Sequence, residues 1–594
     1  MRFARHALVG AALLLGLPGA AAAAPTFGTS AAHAVATFHS IGLYWAPAAG
    51  SESNAARVEF REAGSTAWRQ GLEPWFDPRN AEYRGSLVEL KPGTAYEIRL
   101  TLRSGYAETI QARTWSEALP VKRSVAVPAG TTRLVIDAAD SGDEKGGYVV
   151  FTAPAGRNVI DQSALAGDDP RDSCVVVRQG VHHVIIRGLV LRNCKRHGVF
   201  IERQWEPVLD TQTRDIVIED NEISGWGGSR QDQRGARFAQ EDGAIHCNYY
   251  HEKNDAKRPD RIIIQRNTIR DPRHGTNPWQ AAGAERRHPE GPQGVTFDRC
   301  GQNHVIRYND IYSTNGNYYN DGIGGSENFS LAGFPWADSD IYGNRISEAY
   351  DDGIEAEGAN RNVRIWANFL DRVFVAIANA ATATGPLYVW RNVSHRMGAM
   401  YEPQGDPDRE DRGTFIKGGS NDPVAVGGRA YYFHNTALQP PGGRYPMGAG
   451  WGINKSGGRL YNVVSRNNIW HIHKEPLIHG EPKFFSLRTD ADRGRIDADF
   501  DLRNGQLANA GEDPERHGWG PGPEGRPIYA TSGTSYPNLA AQPGNFALKP
   551  GSPGYRRAQP IANFNDQYPQ ADVGAHQSGT PPMLFGVAAH RALW

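Results

Sequence analysis

Polar and acidic residues recur just before a glycine along the middle of this chain. The pairs are His197-Gly198, Asp242-Gly243, Gln293-Gly294, Asp321-Gly322 and Asp352-Gly353. Any single Asp-Gly pair can simply form a turn. If the pairs stack on successive coils, however, neighbouring carboxylates lie about 4.8 Å apart. At that distance they repel one another unless a metal ion or a shared proton intervenes.

More carboxylates surround the last of these pairs. Asp351 is adjacent to Asp352, and Glu355 and Glu357 follow on one predicted strand. Because side chains alternate along a strand, Glu355 and Glu357 point to the same face. Such a cluster predicts either a site for a hard cation such as calcium or the acid and base pair of a glycosidase.

A repeated frame predicts the element that positions these acids. The frame is aliphatic-x-x-Asn-x-aliphatic, and its asparagines are Asn221, Asn267, Asn309, Asn344, Asn368, Asn392, Asn435 and Asn467. A column of identical residues at variable intervals is typical of a solenoid with inserted loops. We expect each asparagine to take left-handed backbone geometry at a bend and to hydrogen-bond its equivalents above and below.

The start of this region resembles a known superfamily. Val175-Val176-Val177, followed by His183 to Leu189, looks like the first full coil of the pectate-lyase-like β-helix superfamily. The resemblance implies an all-β protein with a right-handed parallel β-helix over residues 119–495. The Gly- and Pro-rich remainder, residues 496–594, resembles a closing segment of secreted β-helix proteins, so we expect it to cover the end or flank of the solenoid.

Three segments show a closer resemblance, to the family-nine pectate lyases. They are Tyr319-Asn320-Asp321-Gly322-Ile323, Tyr350-Asp351-Asp352-Gly353-Ile354-Glu355 and Gly413-Thr414-Phe415-Ile416-Lys417-Gly418-Gly419. The resemblance implies that Asp321, Asp351, Asp352 and Glu355 bind calcium. It also implies that Lys417 removes the C5 proton of a uronate. A lysine can act in this way if positive charge or desolvation lowers its pKa.

Other functions remain open on the sequence alone. In a hydrolase resembling the polygalacturonases, Asp321 and Asp352 would be general acid and base, assisted by Asp351. A C5-epimerase would use the same proton abstraction as a lyase. In a non-catalytic adhesin or glycan-binding solenoid, the acids would be structural and scattered. The enzyme interpretations therefore require the acids to converge in one groove.

A long insertion between Asn267 and Asn309 is predicted to border that groove, because inserted loops on one face of a solenoid commonly build the binding cleft. It contains His274, Trp279, Arg286, Arg287 and His288. Arginines suit the carboxylates of an acidic sugar, and tryptophan can stack on a sugar ring. The predicted substrate-binding residues are His274, Trp279, Arg286, Arg287, Glu357 and Asp242.

The N-terminal part predicts export and a separate module. Residues 1–24 carry basic residues, a short apolar run and an alanine-rich end, as a secretory signal peptide does. Residues 25–118 alternate with period two, as in Ile41 to Trp45 and Ala95 to Leu100, and predict a small antiparallel β-sandwich. The stretch Leu90 to Tyr96 resembles the tyrosine corner of fibronectin type III modules, where the tyrosine hydroxyl is tied to nearby backbone.

Overall composition narrows the partners. The 64 basic residues nearly balance the 65 acidic ones, so no global field favours nucleic acid or a membrane surface. No run after the leader is long and apolar enough to span a membrane. Four cysteines permit two disulfides without requiring them. We expect a secreted or periplasmic monomer that acts on an acidic polysaccharide.

Overall fold

The computed structural model describes much of the chain. The described ranges are 31–153, 158–167, 169–202, 211–228, 242–248, 257–277, 288–325, 327–380, 382–397, 415–418, 427–438, 440, 451–453, 462–471, 483–486, 496–504, 506–508, 515–520 and 522–591. The predicted signal peptide and the predicted binding residues Trp279, Arg286 and Arg287 lie outside these ranges.

The N-terminal module is built from two four-stranded antiparallel sheets, in the orders β1-β2-β6-β5 and β4-β3-β7-β8. Its strands are β1 (His33–Ala36), β2 (Ile41–Trp45), β3 (Ala56–Glu62), β4 (Arg69–Gln70), β5 (Trp75–Asp77), β6 (Glu82–Leu87), β7 (Ala95–Leu102) and β8 (Ala107–Arg113). Alternate residues of β7 are buried, as the period-two pattern predicts. The Lys91 backbone N–H donates to the Tyr96 hydroxyl at 2.9 Å, which is the predicted tie between tyrosine and backbone.

Among the described residues, the coils that follow, as far as Arg503, form a right-handed parallel β-helix. It has three sheets, of which sheets 2 and 3 are joined into one 19-stranded sheet. Sheet 1 has twelve strands: β9 (Val121–Ala126), β11 (Tyr148–Thr152), β14 (His182–Arg187), β17 (Arg214–Glu219), β20 (Asp260–Gln265), β23 (Val305–Arg307), β26 (Asp340–Tyr342), β28 (Val363–Trp366), β30 (Leu387–Trp390), β33 (Ala430–Phe433), β36 (Val463–Arg466) and β39 (Ile496–Asp499). Each strand pairs in parallel with the equivalent strand of the next coil, as Ile216 of β17 does with Ile262 of β20.

The other two sheets share two long strands. Sheet 2 contains β10 (Leu134–Ile136), β13 (Val175–Val177), β16 (Val199–Ile201), β19 (Gly243–Asn248), β22 (Gln293–Asp298), β25 (Ile323–Gly325), β27 (Arg345–Glu355), β29 (Phe369–Asn379), β32 (Ile416–Gly418) and β35 (Trp451–Ile453). Sheet 3 contains β12 (Val159–Asp161), β15 (Val190–Arg192), β18 (Glu222–Ser224), β21 (Thr268–Arg270), β24 (Asp310–Tyr312), β31 (Val393–His395), β34 (Thr436–Leu438), β37 (Ile469–His471) and β40 (Leu502–Arg503). The 11-residue strands β27 and β29 belong to both sheets. A short parallel pair, β38 (Lys483–Ser486) with β41 (Gln506–Ala508), lies apart.

Aliphatic side chains fill the interior of the solenoid. Val184, Ile216, Ile262 and Ile306 are among the fully buried members contributed by sheet 1. Among the described residues, the helices are four short 3-10 turns: Ala138–Asp140, Pro170–Asp172, Pro523–Gly525 and Gly586–Arg591. No helix in the described ranges has the length and apolar character needed to cross a membrane.

The predicted asparagine column is a hydrogen-bonded ladder. Asn368 Oδ1 accepts from both the backbone N–H and the Nδ2 of Asn344, each at 3.0 Å, and Asn368 Nδ2 donates to Asn392 Oδ1 at 3.0 Å. The same pattern joins the ladder members Asn221, Asn267, Asn309, Asn344, Asn368, Asn392, Asn435 and Asn468, and Asp501 accepts at the end.

Two details of the column differ from the prediction. The member after Asn435 is Asn468, whereas the predicted Asn467 donates through Nδ2 to Gln559 O. The left-handed residue is the one before each ladder asparagine, as at Ala367 and Arg391, while Asn368 and Asn392 themselves are not left-handed. The asparagine is therefore selected for its amide, which bonds along the ladder, and the bend is made by its neighbour.

Both disulfides permitted by the cysteine count are formed. Cys174 pairs with Cys194 and Cys247 pairs with Cys300. Each bond ties together neighbouring coils of the solenoid, which stabilises the fold mainly by restricting the unfolded chain.

The C-terminal segment covers a flank of the solenoid. Parallel pairing continues past residue 495, because β39 pairs with β36 and β40 with β37. The chain then runs back along the coils: the Gly574 N–H donates to Asn467 O at 2.7 Å and the Gly586 N–H to Gly343 O at 2.8 Å.

The N-terminal module packs against the outer face of sheet 1. The Tyr44 hydroxyl donates to Asp338 Oδ2 at 2.7 Å, and Arg84 Nε donates to Gly385 O at 2.8 Å. Val88 exchanges two hydrogen bonds of 2.8 Å with the Asn563 side chain of the C-terminal segment. The module and the C-terminal segment therefore cover the outer face of sheet 1 together.

Candidate functional site

A β-bulge on β27 gathers the acids. Ala349 pairs with Val373 of β29 and Asp352 with Val375, so three residue steps on β27 oppose two on β29. A bulge of this kind re-aims the side chains beside it and is frequent next to active sites. It breaks the simple alternation that would send Asp351 and Asp352 to opposite faces.

The structure brings five carboxylates together on sheet 2: Asp321, Asp351, Asp352, Glu355 and Glu357, here called the acid cluster. One oxygen each of Asp321, Asp351 and Asp352 lies within 4.8 Å of the others, and so does one oxygen each of Asp352, Glu355 and Glu357. All but Glu355 are buried. The convergence required by the enzyme interpretations is therefore present.

Each Asp-Gly pair beside the cluster has a role beyond a turn. Gly322 and Gly353 do not have left-handed backbone geometry. A Cβ at Gly322 would overlap the Ile346 side chain, and one at Gly353 would overlap Leu370. The glycines are thus needed where the chain passes close to the packed interior, and this close approach sets Asp321 and Asp352 at equivalent places on adjacent coils.

Asp321 is held by three donors. Gln293 Nε2 and Asn320 Nδ2 donate to its Oδ2 at 2.9 and 2.7 Å, and the Asp352 N–H donates to its Oδ1 at 3.0 Å. Gln293 belonged to the predicted column without an assigned role, and Asn320 was only part of the motif. Their amide chemistry beside an acid is the signal that would have identified them.

Lys417 lies above the acids on the same face. Glu355 pairs with Ala378 of β29, and Ala378 pairs with Lys417 of β32, so one coil separates the glutamate from the lysine. The small Ala378 leaves room for the lysine chain to pass. Lys417 Nζ lies 2.6 Å from Asp352 Oδ2 and 3.1 Å from Glu357 Oε1.

Burial and mutual repulsion dominate the electrostatics of the cluster. Burial raises the pKa of Asp321 well above its usual value, and the charges of Glu355 and Asp351 raise it further. Burial, with repulsion from Glu357, raises the pKa of Glu355 to about 7. Burial alone would lower the pKa of Lys417, but Asp352 and Glu357 outweigh it and hold that pKa well above its usual value.

Two loops reach the cluster from its sides. His288, at the end of the predicted insertion, places Nε2 3.1 Å from Asp351 Oδ2 and Nδ1 2.7 Å from Pro289 O. With an acceptor at each ring nitrogen the imidazolium form is favoured, and the Asp351 charge raises the pKa of His288 against the opposing effect of burial. Asn328 Nδ2 donates to Glu355 Oε1 at 2.8 Å. The sequence predicted that the loop containing His288 borders the groove, but it did not predict the contact between Asn328 and Glu355.

The donor set fits a hard cation. Asp352 Oδ1, Gln293 Oε1 and Asn320 Oδ1 are buried and accept no hydrogen bond within the part of the chain that the structure describes. Buried polar atoms are normally satisfied. Carboxylate and amide oxygens are the ligands that calcium prefers, in sets of six to eight. The unsatisfied oxygens beside the five carboxylates thus match calcium better than a softer metal.

Two further predicted binding residues lie elsewhere. Asp242 is fully buried and paired with Arg196 at 2.5 Å. Asp242 also lies one residue out of the predicted column of residue-glycine pairs, because Gly243, and not Asp242, pairs with Gln293. His274 lies two residues before Thr276, whose backbone N–H donates to Tyr318 O at 3.0 Å. No hydrogen bond or ion pair among the described residues links His274 to the acid cluster.

Comparisons with known proteins find matches among solved structures but none by sequence. No protein-family model matches the chain, and no curated protein matches its sequence. Among solved structures, the crystal structure of pectate lyase Pel9A matches with 13% sequence identity and a TM-score of 0.36, covering 76% of this chain and 85% of that chain. The β-helix assignment itself rests on the parallel sheets and the asparagine ladder of this chain.

Proposed function

We propose that the protein is an exported polysaccharide lyase that cleaves a uronate-containing polysaccharide by β-elimination, with Lys417 as the base. The observation that carries this proposal is the position of Lys417 Nζ, 2.6 Å from Asp352 Oδ2, within a cluster of five carboxylates on sheet 2. A lysine at a predicted cation site is the combination that proton abstraction beside a carboxylate requires.

Calcium is the proposed cofactor, held by Asp321, Asp351, Asp352 and Glu355. When bound, a divalent cation supplies positive charge that neutralises a uronate carboxylate and makes its C5 proton more acidic. Asp321 is kept in place for this role by Gln293, Asn320 and the Asp352 N–H.

Lys417 must be neutral to act as a base. In the cluster as it stands, Asp352 and Glu357 favour the charged form of Lys417. Engagement of the Asp352 oxygens in a ligand set withdraws one of these charges, so the pKa of Lys417 falls toward the working range. Lys417 then takes the C5 proton, the C5–H electrons form the C4–C5 double bond, and the C4–O bond breaks, its oxygen receiving a proton from water.

Hydrolysis by an inverting mechanism is less well supported by the same geometry. In an inverting glycosidase the two carboxyl groups stand roughly 6.5–9.5 Å apart to leave room for a water. Here oxygens of Asp321 and Asp352 lie within 4.8 Å and the Asp352 N–H donates directly to Asp321. An epimerase would share the base and return a proton to C5.

The proposed setting is secreted or periplasmic, with a monomer acting on an acidic glycan. Two disulfides suit an oxidising compartment. The predicted leader over residues 1–24 is consistent with this setting.

The test is absorbance near the ultraviolet band of unsaturated uronates while the purified protein acts on a panel of acidic polysaccharides, with calcium and then with chelator. Rising absorbance that the chelator abolishes supports the proposal. New reducing ends without that absorbance would identify a hydrolase that uses Asp321 and Asp352. A change in uronate configuration without chain cleavage would identify an epimerase, and binding alone a glycan-binding protein.

A further inference from the structure

The partners of the five carboxylates differ in kind. Asp321 accepts from Gln293, Asn320 and a backbone N–H, Asp351 lies against His288, and Glu355 accepts from Asn328. Glu357, although only 2% of its side chain is exposed, has Lys417 as its side-chain partner within the described residues. A buried carboxylate is costly unless it is paired, so Glu357 and Lys417 depend on each other.

The backbone of Glu357 is fixed by its neighbours. Its carbonyl accepts from the Phe329 N–H at 2.7 Å, and the preceding Ala356 N–H donates to Ala378 O at 2.8 Å. Above it, Ala378 and Ala380 are small and buried. The Lys417 chain can therefore reach across one coil to a carboxylate whose backbone these hydrogen bonds hold.

We propose that Glu357 is the positioning residue of Lys417, in place of the direct substrate contact that the sequence suggested. The inference rests on the proposed function. Asp352 and Glu357 share the lysine ammonium in the cluster, but Asp352 also belongs to the proposed calcium ligands. Once Asp352 serves the cation, Glu357 is the remaining carboxylate that keeps Nζ over the groove, at the place where the proton is taken.

Kinetics of Glu357→Gln provide the main test. Misplacement of a reacting group by about 1 Å costs roughly 100-fold in rate, so we expect kcat to fall about 100-fold while KM and calcium affinity, measured by calorimetry, stay within about twofold. The matched control is Glu348→Gln, which removes a partly buried glutamate of β27 whose partners are Ser313, Ser347 and Arg372. The control should keep wild-type kcat.

A second readout does not depend on activity. Amine-reactive labelling, read by mass spectrometry in the presence of calcium, compares Lys417 with the exposed Lys91 in the same molecule. Loss of the buried partner should speed labelling of Lys417 about tenfold in Glu357→Gln and leave Lys91 unchanged. If Glu357→Gln does not fold, Glu357→Asp takes its place, because the shorter side chain keeps the negative charge but holds it farther from Lys417. This variant should give a smaller change in the same direction.

The outcomes separate the two proposals. Wild-type kcat in Glu357→Gln, or an equal loss in Glu348→Gln, would overturn the positioning role while the lyase stands. If the wild-type protein forms no unsaturated product, the lyase proposal fails. The labelling comparison then still decides whether Glu357 holds Lys417, since unchanged labelling of Lys417 in Glu357→Gln rules it out.

Discussion

Lys417 Nζ forms a 2.6 Å ion pair with Asp352 Oδ2, although 65 residues and one complete coil separate the two. The pair places the proposed base and a proposed calcium ligand in direct contact. The charge state of Lys417 therefore depends on what Asp352 binds.

Calcium should stabilise the folded protein. Five carboxylates repel one another across the cluster, and a ligand present at 100 times its dissociation constant adds about 2.7 kcal/mol to the free energy of unfolding. Thermal unfolding should shift upward with calcium and return with chelator. Magnesium is the control, because its shorter bonds and strict octahedral geometry suit this set poorly. Equal shifts with both ions would argue against a calcium site.

Lys417→Ala should slow elimination strongly but retain calcium binding. Loss of a positioned base costs about 10²- to 10⁴-fold in rate, and removal of the ammonium leaves Asp352 free to bind the cation. Activity by ultraviolet absorbance and affinity by calorimetry check both parts. Lys122→Ala, which removes a lysine paired with Asp143 at the surface, is the control and should behave as wild type. Weaker calcium binding in Lys417→Ala would contradict the prediction.

The asparagine ladder should contribute strongly to stability. Asn368→Ala removes the acceptor of two Asn344 donors and the donor to Ile341 O, and each buried group left unsatisfied costs about 1–3 kcal/mol. Urea unfolding should therefore show that the free energy of unfolding falls by several times this amount. Asn315→Ala, at an exposed turn, is the comparison and should change the free energy of unfolding little. Similar losses in the two variants would mean that the ladder is not what distinguishes Asn368.

Docking of the N-terminal module should depend on pH through Asp338. Burial raises the pKa of Asp338 from 3.8 to about 6 against the opposing charges of Arg361 and Arg364. The folded state then holds a proton that the unfolded chain has released, so the free energy of unfolding falls as pH rises from about 4 to about 6, by on the order of 1–3 kcal/mol. Asp338→Asn should flatten this part of the stability profile. The mutation is compatible with the left-handed backbone there. An unchanged slope would contradict the assignment to Asp338.

The sequence predicts the solenoid well because its asparagine frame repeats. The strands Ile41–Trp45 and Val175–Val177 have the predicted bounds, and the ladder follows the predicted column as far as Asn435. At the next coil two asparagines stand side by side. Asn468 joins the ladder because the left-handed residue precedes the ladder position, and Asn467 takes that place.

The site was only partly predictable. The column of residue-glycine pairs predicted that Asp321 and Asp352 lie at equivalent places on adjacent coils, and strand alternation predicted one face for Glu355 and Glu357. The entry of Asp351 depends on a bulge that adds one residue to β27. Asp242 matched the motif, yet a one-residue shift of register moved it out of the column. His288 reaches Asp351 from a loop, and no periodicity in the sequence carries that information.

The return of the C-terminal segment along the coils has a consequence for the order of assembly. Asn563 bonds to Val88 near the start of the chain, and Gly586 bonds to Gly343 in its middle. A growing chain can wind its coils as they appear, but these two contacts wait until almost all residues have been synthesised. A protein cut short before residue 563 would therefore leave the N-terminal module without this anchor, and the part of the outer face of sheet 1 that the C-terminal segment covers would stay open to proteases and to aggregation.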